Sequence, residues 1–402
     1  MSATPHPAAL ALKLEEVEKR VGAAIHLYPF HLDLVPGQLN VLLGATLAGK
    51  TSLLRLMAGL DAPSAGRIQE GSDGAWRDVT GLPVRQRDLA MVYQQFINYP
   101  SLSVRENIAS PLRLRGVAKG ELEQRVATIA EQLRLTPFLD RRPAELSGGQ
   151  QQRTALARAL AKDAGLLLLD EPLVNLDYKL REELRAELLQ LLRVRNTTVV
   201  YATTEPQEAL QLGGNVVVME AGRVVQSGPT LEVFHRPATL AAARAFSDPP
   251  LNVLPARFDG TRGIATLASG AANGLANGLA SDLSSGLSGG LEVALSPAAV
   301  AEVRAAGVNE FLLALRPHQL HSEPGGCRNL TLQGTVELAE ISGSDTYLHV
   351  HTAGGDVVAQ WRGIHPLSLG SRAHLFLDPR EFFGFTCAGA ALFAPAAAAG
   401  ET

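Results

Sequence analysis

Apolar positions along the chain keep two periodicities, one of strands and one of helices, which alternate up to about residue 245 and then give way to strands. Residues 11 to 43 hold the short runs LKLEEVEKR and HLYPFHLDLV, a Pro36-Gly37 turn and LNVLL, all read as strands. Lys50 to Ala58 fits a helix closed by Gly59, with Pro63 just beyond. Gly-punctuated short strands fill 64 to 93 and end in LAMVY, which delivers Gln94. From about residue 95 to 163 the period is helical. Ser103-Val-Arg-Glu106 is a capping box, and Leu122, Val126, Ile129 and Leu133 recur on one helix face. Leu166 to Leu169 then reads as a buried parallel-type strand, followed by a helix over Tyr178 to Arg193 and a strand over Thr197 to Thr203. The hairpin NVVVMEAGRVVQ turns at Ala221-Gly222. Such alternation predicts a parallel α/β sheet with ligands at the carboxyl ends of its strands.

Beyond residue 245 the chain changes character. Residues 259 to 291 carry the repetitive GAANGLANGLASDLSSGLSGGL, read as an insertion with little side chain to bury. Val293 to about Phe385 shows short alternating strands, such as GTVELAEI and YLHVHT, without helical units of comparable length. This predicts a small all-β domain of barrel or sandwich type, and the last stretch, ALFAPAAAAGET, reads as a frayed tail. The domains expected are thus 1–245, with a helical part at about 95–163, and 246–402.

The chemistry gathers on two strand ends. GATLAGKTS reads G-x-x-x-x-G-K-[ST] from Gly44 to Thr51, between an apolar strand and a helix. In that setting the backbone N–H groups of Gly44, Ala45, Thr46, Leu47, Ala48, Gly49, Lys50, Thr51 and Ser52 face one concavity at a helix N-terminus. Lys50 reaches the outer phosphates of a nucleotide and Thr51 reaches Mg2+. Four leucines then deliver Asp170 and Glu171 at the end of a second buried strand. Asp170 can hold Mg2+ through its water shell, and Glu171 can orient or deprotonate the water that attacks the γ-phosphate.

Composition removes other classes. The 402 residues leave room for two or three domains at about 100–200 residues each. With 36 basic against 40 acidic residues and a net charge of −4, there is no basic surplus to support a nucleic-acid partner. The two cysteines, Cys327 and Cys387, lie far apart without metal spacing. The N-terminus lacks the pattern of a signal peptide, and no apolar run approaches the length of a membrane span. These features predict a soluble cytoplasmic protein whose membrane role, if it has one, runs through partners.

Taken in order, GATLAGKTS, MVYQQ, LSGGQQQRTALARAL, LLLLDEP and NLD resemble the ATP-binding subunit of an ABC transporter over roughly residues 12 to 240. The later strands with LALRPHQL resemble the OB-like regulatory domain of subunits that energise bacterial carbohydrate importers. Within that group LNVLLGATLAGKTS, MVYQQFINYPSLSVRENIASPL and YATTEPQEAL are most similar to the ATPases of glycerol and glycerol-3-phosphate uptake. The resemblance implies a P-loop NTPase domain of ABC ATPase type with an inserted helical subdomain, followed by a small all-β OB-like regulatory domain. It implies ATP and Mg2+ as ligands, two permease subunits and a second ATPase subunit as partners, and an extracytoplasmic solute-binding protein indirectly. It also implies a place on the cytoplasmic face of the inner membrane. Gln94 is implied to sense Mg2+ and, with Tyr99-Pro100, to couple the site to the permeases. Ser147, Gly148, Gly149 and Gln150 form the signature that caps the nucleotide of the opposite subunit, and Asp177 belongs to the loop that crosses the dimer interface.

Three departures qualify the resemblance. Thr204 stands where the family has a histidine on the γ-phosphate, and it has a shorter reach and no cationic form. Val21 occupies the position of the aromatic that stacks on adenine, with Tyr28 a possible substitute platform. Leu47 replaces a loop glycine, which leaves the backbone donors in place provided Leu47 does not need φ > 0. Thr204 beside an intact signature leads to the expectation of a heterodimer in which the partner keeps the histidine. A hydrolysis-poor regulatory half and a soluble non-transport ABC ATPase are the alternative functions.

Overall fold

The computed structural model describes residues 9–72, 74–174, 178–193, 197–267 and 290–395, and these divide into two compact units, Met1–Thr230 and Leu231–Thr402. The division falls between Thr230 and Leu231, earlier than the boundary near residue 245 expected from the change in composition.

In the first unit a four-stranded antiparallel sheet, ordered β2-β1-β4-β5, is built from β1 (Ala11–Val21), β2 (Ala24–Asp33), β4 (Ala65–Ser72) and β5 (Ala75–Asp78). The second sheet has the order β10-β9-β3-β8-β7-β6, from β3 (Leu39–Leu43), β6 (Leu89–Val92), β7 (Leu166–Asp170), β8 (Thr198–Thr203), β9 (Asn215–Glu220) and β10 (Arg223–Pro229). Its strands are parallel except for β10, which returns through the Ala221-Gly222 turn with both residues at positive φ. Every residue of β7 and β8 is buried, so neither strand has a solvent face to alternate against, and apolar residues run together in both, as Leu166–Leu169 and Val199–Ala202.

Helices supply the layers between. α1 (Lys50–Ala58) starts at Gly49, ends in the left-handed Gly59, and buries Leu53, Leu54, Leu56 and Met57 in the core shared with both sheets. α2 (Val104–Leu114), α3 (Lys119–Gln132) and α4 (Gly148–Ala161) form the helical subdomain expected between the strands. Ser103 and Glu106 close the capping box on α2 as the sequence indicates, with Ser103 N–H donating to Glu106 Oε2 at 2.8 Å. Val126, Ile129 and Leu133 turn inward from α3. α5 (Tyr178–Arg193) and α6 (Pro206–Leu212) complete this unit.

The division falls after the first residue of α7 (Thr230–His235), and α8 (Leu240–Ala245) follows in the second unit. Its six-stranded sheet is ordered β13-β12-β11-β14-β19-β20, from β11 (Asn252–Asp259), β12 (Ile264–Leu267), β13 (Glu292–Ala294), β14 (Glu310–Leu315), β19 (Phe383–Thr386) and β20 (Ala391–Phe393). A four-stranded sheet, β17-β16-β15-β18, comes from β15 (Leu330–Ser342), β16 (Asp345–Thr352), β17 (Gly355–Arg362) and β18 (Arg372–Leu377). Both sheets share one core that includes Leu254, Phe311, Leu348 and Trp361. Two expectations change here. A ten-residue helix, α9 (Pro297–Ala306), interrupts the strands; Ser296 caps it, Pro297 opens it and Gly307 ends it, so its signals lie at the ends of an alanine-rich run whose burial period is weak. The insertion read over 259–291 also begins later, because Ile264–Leu267 pairs with both β11 and β13, while 268–289 lie outside the described residues, as does the tail beyond 395.

One buried cation ties the start of this architecture together. Arg87, 4% exposed, donates to the carbonyls of Leu82 at 3.0 Å and Met57 at 3.0 Å, and also to Val79. It satisfies carbonyls that the C-terminus of α1 cannot bond itself. A side chain on Gly59 would lie 2.5 Å from Arg87 Nε, so this helix end requires glycine for space as well as for its φ of 69°. Replacing Arg87 by Ala leaves several buried acceptors unpaired and is expected to lower stability by about 2–4 kcal/mol. In a urea titration this reads as a lower midpoint at unchanged slope.

Candidate nucleotide site

The two chemical strand ends meet at the carboxyl edge of the parallel sheet. β3 and β7 flank β8, so the loop after β3 and the carboxylates after β7 lie either side of one strand. Gly44 N–H donates to Thr203 O at 3.4 Å and Glu171 N–H donates to Ala202 O at 3.1 Å. These main-chain bonds fix the phosphate loop and the acidic turn in one frame.

Within that frame the expected residues converge. Lys50, 4% exposed, places Nζ 3.2 Å from Glu171 Oε1 and donates to the carbonyls of Gly44 at 2.9 Å and Ala45 at 3.1 Å. Gln94 Nε2 donates to Glu171 Oε2 at 3.1 Å. The Thr51 hydroxyl donates to Asp170 Oδ1 at 3.1 Å. Burial pushes the Asp170 carboxyl above the usual carboxylate range; the Thr51 hydrogen bond opposes this and the neighbouring Glu171 charge adds to it. A cleft of about 610 Å3 is lined by Thr46, Leu47, Gly49, Lys50, Thr51 and Ser52, with Gln94 and Glu171 also on its wall. That volume suits a nucleotide.

Sequence reasoning missed part of this wall. Ala24, Ile25 and His26 of the β1–β2 hairpin and the Ala221-Gly222 turn also line the cleft. Gly222 N–H donates to Ala48 O at 3.0 Å, and Gly222 O accepts from Tyr28 N–H at 2.9 Å, so the turn braces the loop from behind. The hairpin signal marked this turn, but nothing local indicated that it faces the phosphate loop.

The two platform candidates fare differently from the loop. Val21 ends β1, 53% exposed, and is not among the residues that line the cleft. One face of the Tyr28 ring is covered by the Arg223 guanidinium, 3.5 Å from its centroid. His26 and Ile25 are the side chains that the hairpin offers to the cleft.

Leu47 departs from the condition set for it. Its φ is 68°, and it is 94% exposed. The loop therefore needs the left-handed backbone that glycine adopts freely, and Leu47 bears a strain of about 1–2 kcal/mol with no burial to offset it. Glu171 shares this strain at φ 44°, held there by the bond to Ala202.

Thr204 and Glu171 both line a small separate cavity of about 10 Å3, and Thr204 is not among the residues that line the cleft. The signature lies elsewhere: Ser147 caps α4, with Gln150 N–H donating to Ser147 Oγ at 3.4 Å and Ser147 N–H to Gln150 Oε1 at 3.0 Å. Ser147 and Gly148 are exposed and Gly149 is buried; none of the four signature residues lines the cleft of their own chain. The N–H groups of Gly148 and Gly149 have no acceptor within the first turn of the helix. Asp177 lies outside the described residues.

A third surface sits beside Gln94. Asn107, fully buried on α2, donates to the carbonyls of Tyr99, Leu102 and Ser103 and accepts from Tyr99 N–H at 2.8 Å. Arg158 of α4 stacks on the Tyr99 ring at 4.7 Å. The loop so held presents Ile97 at 53% and Tyr99 at 47% exposure.

A methyl group on Gly44 would lie 2.3 Å from Met219 O and 2.9 Å from Ala48 Cβ. Gly44→Ala must therefore push the loop away from β9 and is expected to cost about 1–3 kcal/mol of stability. Nucleotide titration of the variant should show weakened ATP binding.

Residues 27–174 match the ABC transporter family, and residues 313–385 match the TOBE domain. The chain is 38% identical to the sn-glycerol-3-phosphate import ATP-binding protein of Cupriavidus pinatubonensis, over 87% of this chain and 90% of that protein. It is 34% identical to the second protein of that name in Rhizobium johnstonii, over 92% of this chain and 95% of that protein. It is 36% identical to the one in Cupriavidus necator, over 90% and 92%. With its phosphate loop, paired carboxylates and exposed signature in these positions, the chain belongs to the ABC transporter family, as an ATP-binding import subunit.

Proposed function

We propose that this ATPase energises a bacterial importer for glycerol 3-phosphate or a related polyol, at the cytoplasmic face of the membrane and bound there through permease subunits. The observation that carries the catalytic half is the meeting of Lys50, Gln94 and Glu171 at hydrogen-bond distance beside the loop after β3. The names of the relatives support the solute. Among the described residues no helix is long and apolar enough to cross a membrane, and the exposed loop at Ile97 and Tyr99 suits a permease contact.

The residues suggest an order of events. Entry of the triphosphate draws Lys50 from Glu171 and from the Gly44 and Ala45 carbonyls to the outer phosphates, while loop N–H groups hold the rest. The oxygen atoms of Thr51, Asp170 and Gln94 would hold Mg2+, which would supply positive charge against the phosphates. Glu171, released from Lys50, holds the attacking water and takes its proton as the new P–O bond forms and the bond to ADP breaks. The exposed signature at Ser147 to Gln150 serves the nucleotide of a second ATPase subunit. The heterodimer expected from Thr204 finds no support in the relatives or in the geometry, and we adopt two copies of this chain. Mass determination of the complex purified from its membrane should find two copies; a second, different ATPase chain would overturn that reading.

Glu171→Gln keeps the shape of the site and loses the base. It should spare ATP binding while lowering turnover by about 10²–10⁴-fold in the assembled complex. Near-parental turnover would remove Glu171 from this role. Lys50→Ala should instead raise the dissociation constant for ATP.

A further inference from the structure

Behind the site lies a buried carboxylate that the mechanism above does not use. Glu208, on α6, is 5% exposed. Its Oε1 accepts from the Tyr201 hydroxyl at 2.6 Å, and its Oε2 accepts from the Thr203 hydroxyl. Burial pushes its carboxyl up, and the two hydroxyl bonds oppose that rise. The Thr203 oxygen also accepts from Glu205 N–H at 3.0 Å. Each hydrogen in this network has one place to go: Tyr201 and Thr203 donate to the carboxylate, and Thr203 receives the Glu205 N–H. From the other side, Arg181 of α5 pairs with Glu205 and donates to Val174 O. The turn that carries Thr204 is therefore gripped twice, by Glu208 through the Thr203 side chain and by Arg181 through Glu205. Glu171, Thr204 and Glu208 line the same small cavity.

From this network we infer that Glu208 is a positioning residue for hydrolysis: it locks the Thr203 side chain and thereby holds the turn bearing Thr204 in place beside Glu171. The alternative is a buried polar cluster that only stabilises the fold. The two differ in what they move. A stabilising cluster changes unfolding and leaves the turnover of folded protein alone. A positioning residue changes kcat in protein that is folded and binds ATP. The phosphate loop is held by main-chain bonds to β8 and by the Ala221-Gly222 turn, so ATP affinity stays with Lys50 and its loop.

The inference rests on Glu171 as the water-orienting carboxylate, which Glu171→Gln tests by itself. Glu208→Ala, Glu208→Gln and Thr203→Val are compared in the full chain within its membrane complex, with kcat, ATP dissociation constant and urea midpoint measured for each. A displaced catalytic turn costs about tenfold to a hundredfold in rate. Glu208→Ala and Thr203→Val should each lose that much kcat with ATP affinity within about twofold of the parent, because loop contacts are untouched. Glu208→Gln accepts from only one of the two hydroxyls and should fall between parent and Glu208→Ala. The double variant should lose no more than the larger single loss, since both changes break one contact. Parental kcat in Thr203→Val overturns the inference, also when Glu208→Ala does not fold. So does additive loss in the double variant, or a loss confined to ATP affinity.

Discussion

The carboxyl end of β8 is the constraint on which the rest of the site depends. Two consecutive carbonyls, Ala202 and Thr203, receive the N–H groups of Glu171 and Gly44, the first residues after β7 and β3. Both neighbours are parallel to β8, so their ends reach the same edge in the same direction. The chemistry therefore needs no long-range side-chain search: ladder bonds that make the sheet also set the lysine and the carboxylate within 3.2 Å of each other. A sheet with this strand order places its ligand where loops leave neighbouring strands.

Strain collects at the same edge. Leu47 and Glu171 both sit in the left-handed region, where a side chain is disfavoured by roughly 1–2 kcal/mol. Glu171 is held there by the bond to Ala202 and by its ion pair with Lys50, so packed structure around it determines the conformation. Leu47 has no comparable hold, being 94% exposed. The close approaches of this loop fall instead at its glycines, Gly44 against Met219 and Gly49 against Leu27.

Electrostatics in the site are those of groups waiting for a polyanion. Lys50 is buried and satisfied by carbonyls and a carboxylate, which avoids the penalty of an unpaired charge. Asp170 is buried with the Thr51 hydroxyl as partner, and burial raises its carboxyl while that hydrogen bond lowers it. A nucleoside triphosphate would give Lys50 a stronger acceptor, and the Thr51 and Asp170 oxygens are of the kind that would suit a divalent cation.

By itself the sequence determined the elements whose signals are local. α1 and α5 occupy the intervals read from periodicity and caps, because a helix is specified by residues three and four apart and by the groups at its ends. The phosphate loop and the Asp170-Glu171 strand end were legible for the same reason: glycine, lysine and four leucines act over a few residues. What sequence left open depended on distant chain. Whether Leu47 adopts positive φ is set by its neighbours in the folded loop, whether Val21 or Tyr28 faces the cleft by the register of the β1–β2 hairpin, and whether Ala221-Gly222 braces the loop by β9 lying beside β3. Helix α9 escaped because its alanines carry little period, and the strand Ile264–Leu267 because only pairing with β11 and β13 distinguishes it from the repetitive segment it adjoins. The pairing of Glu208 with Thr203 needed α6 folded back on β8 before two residues five apart in the chain could share a buried proton arrangement. Local chemistry can be written in consecutive residues, but orientation toward a common site is a property of the packed sheet.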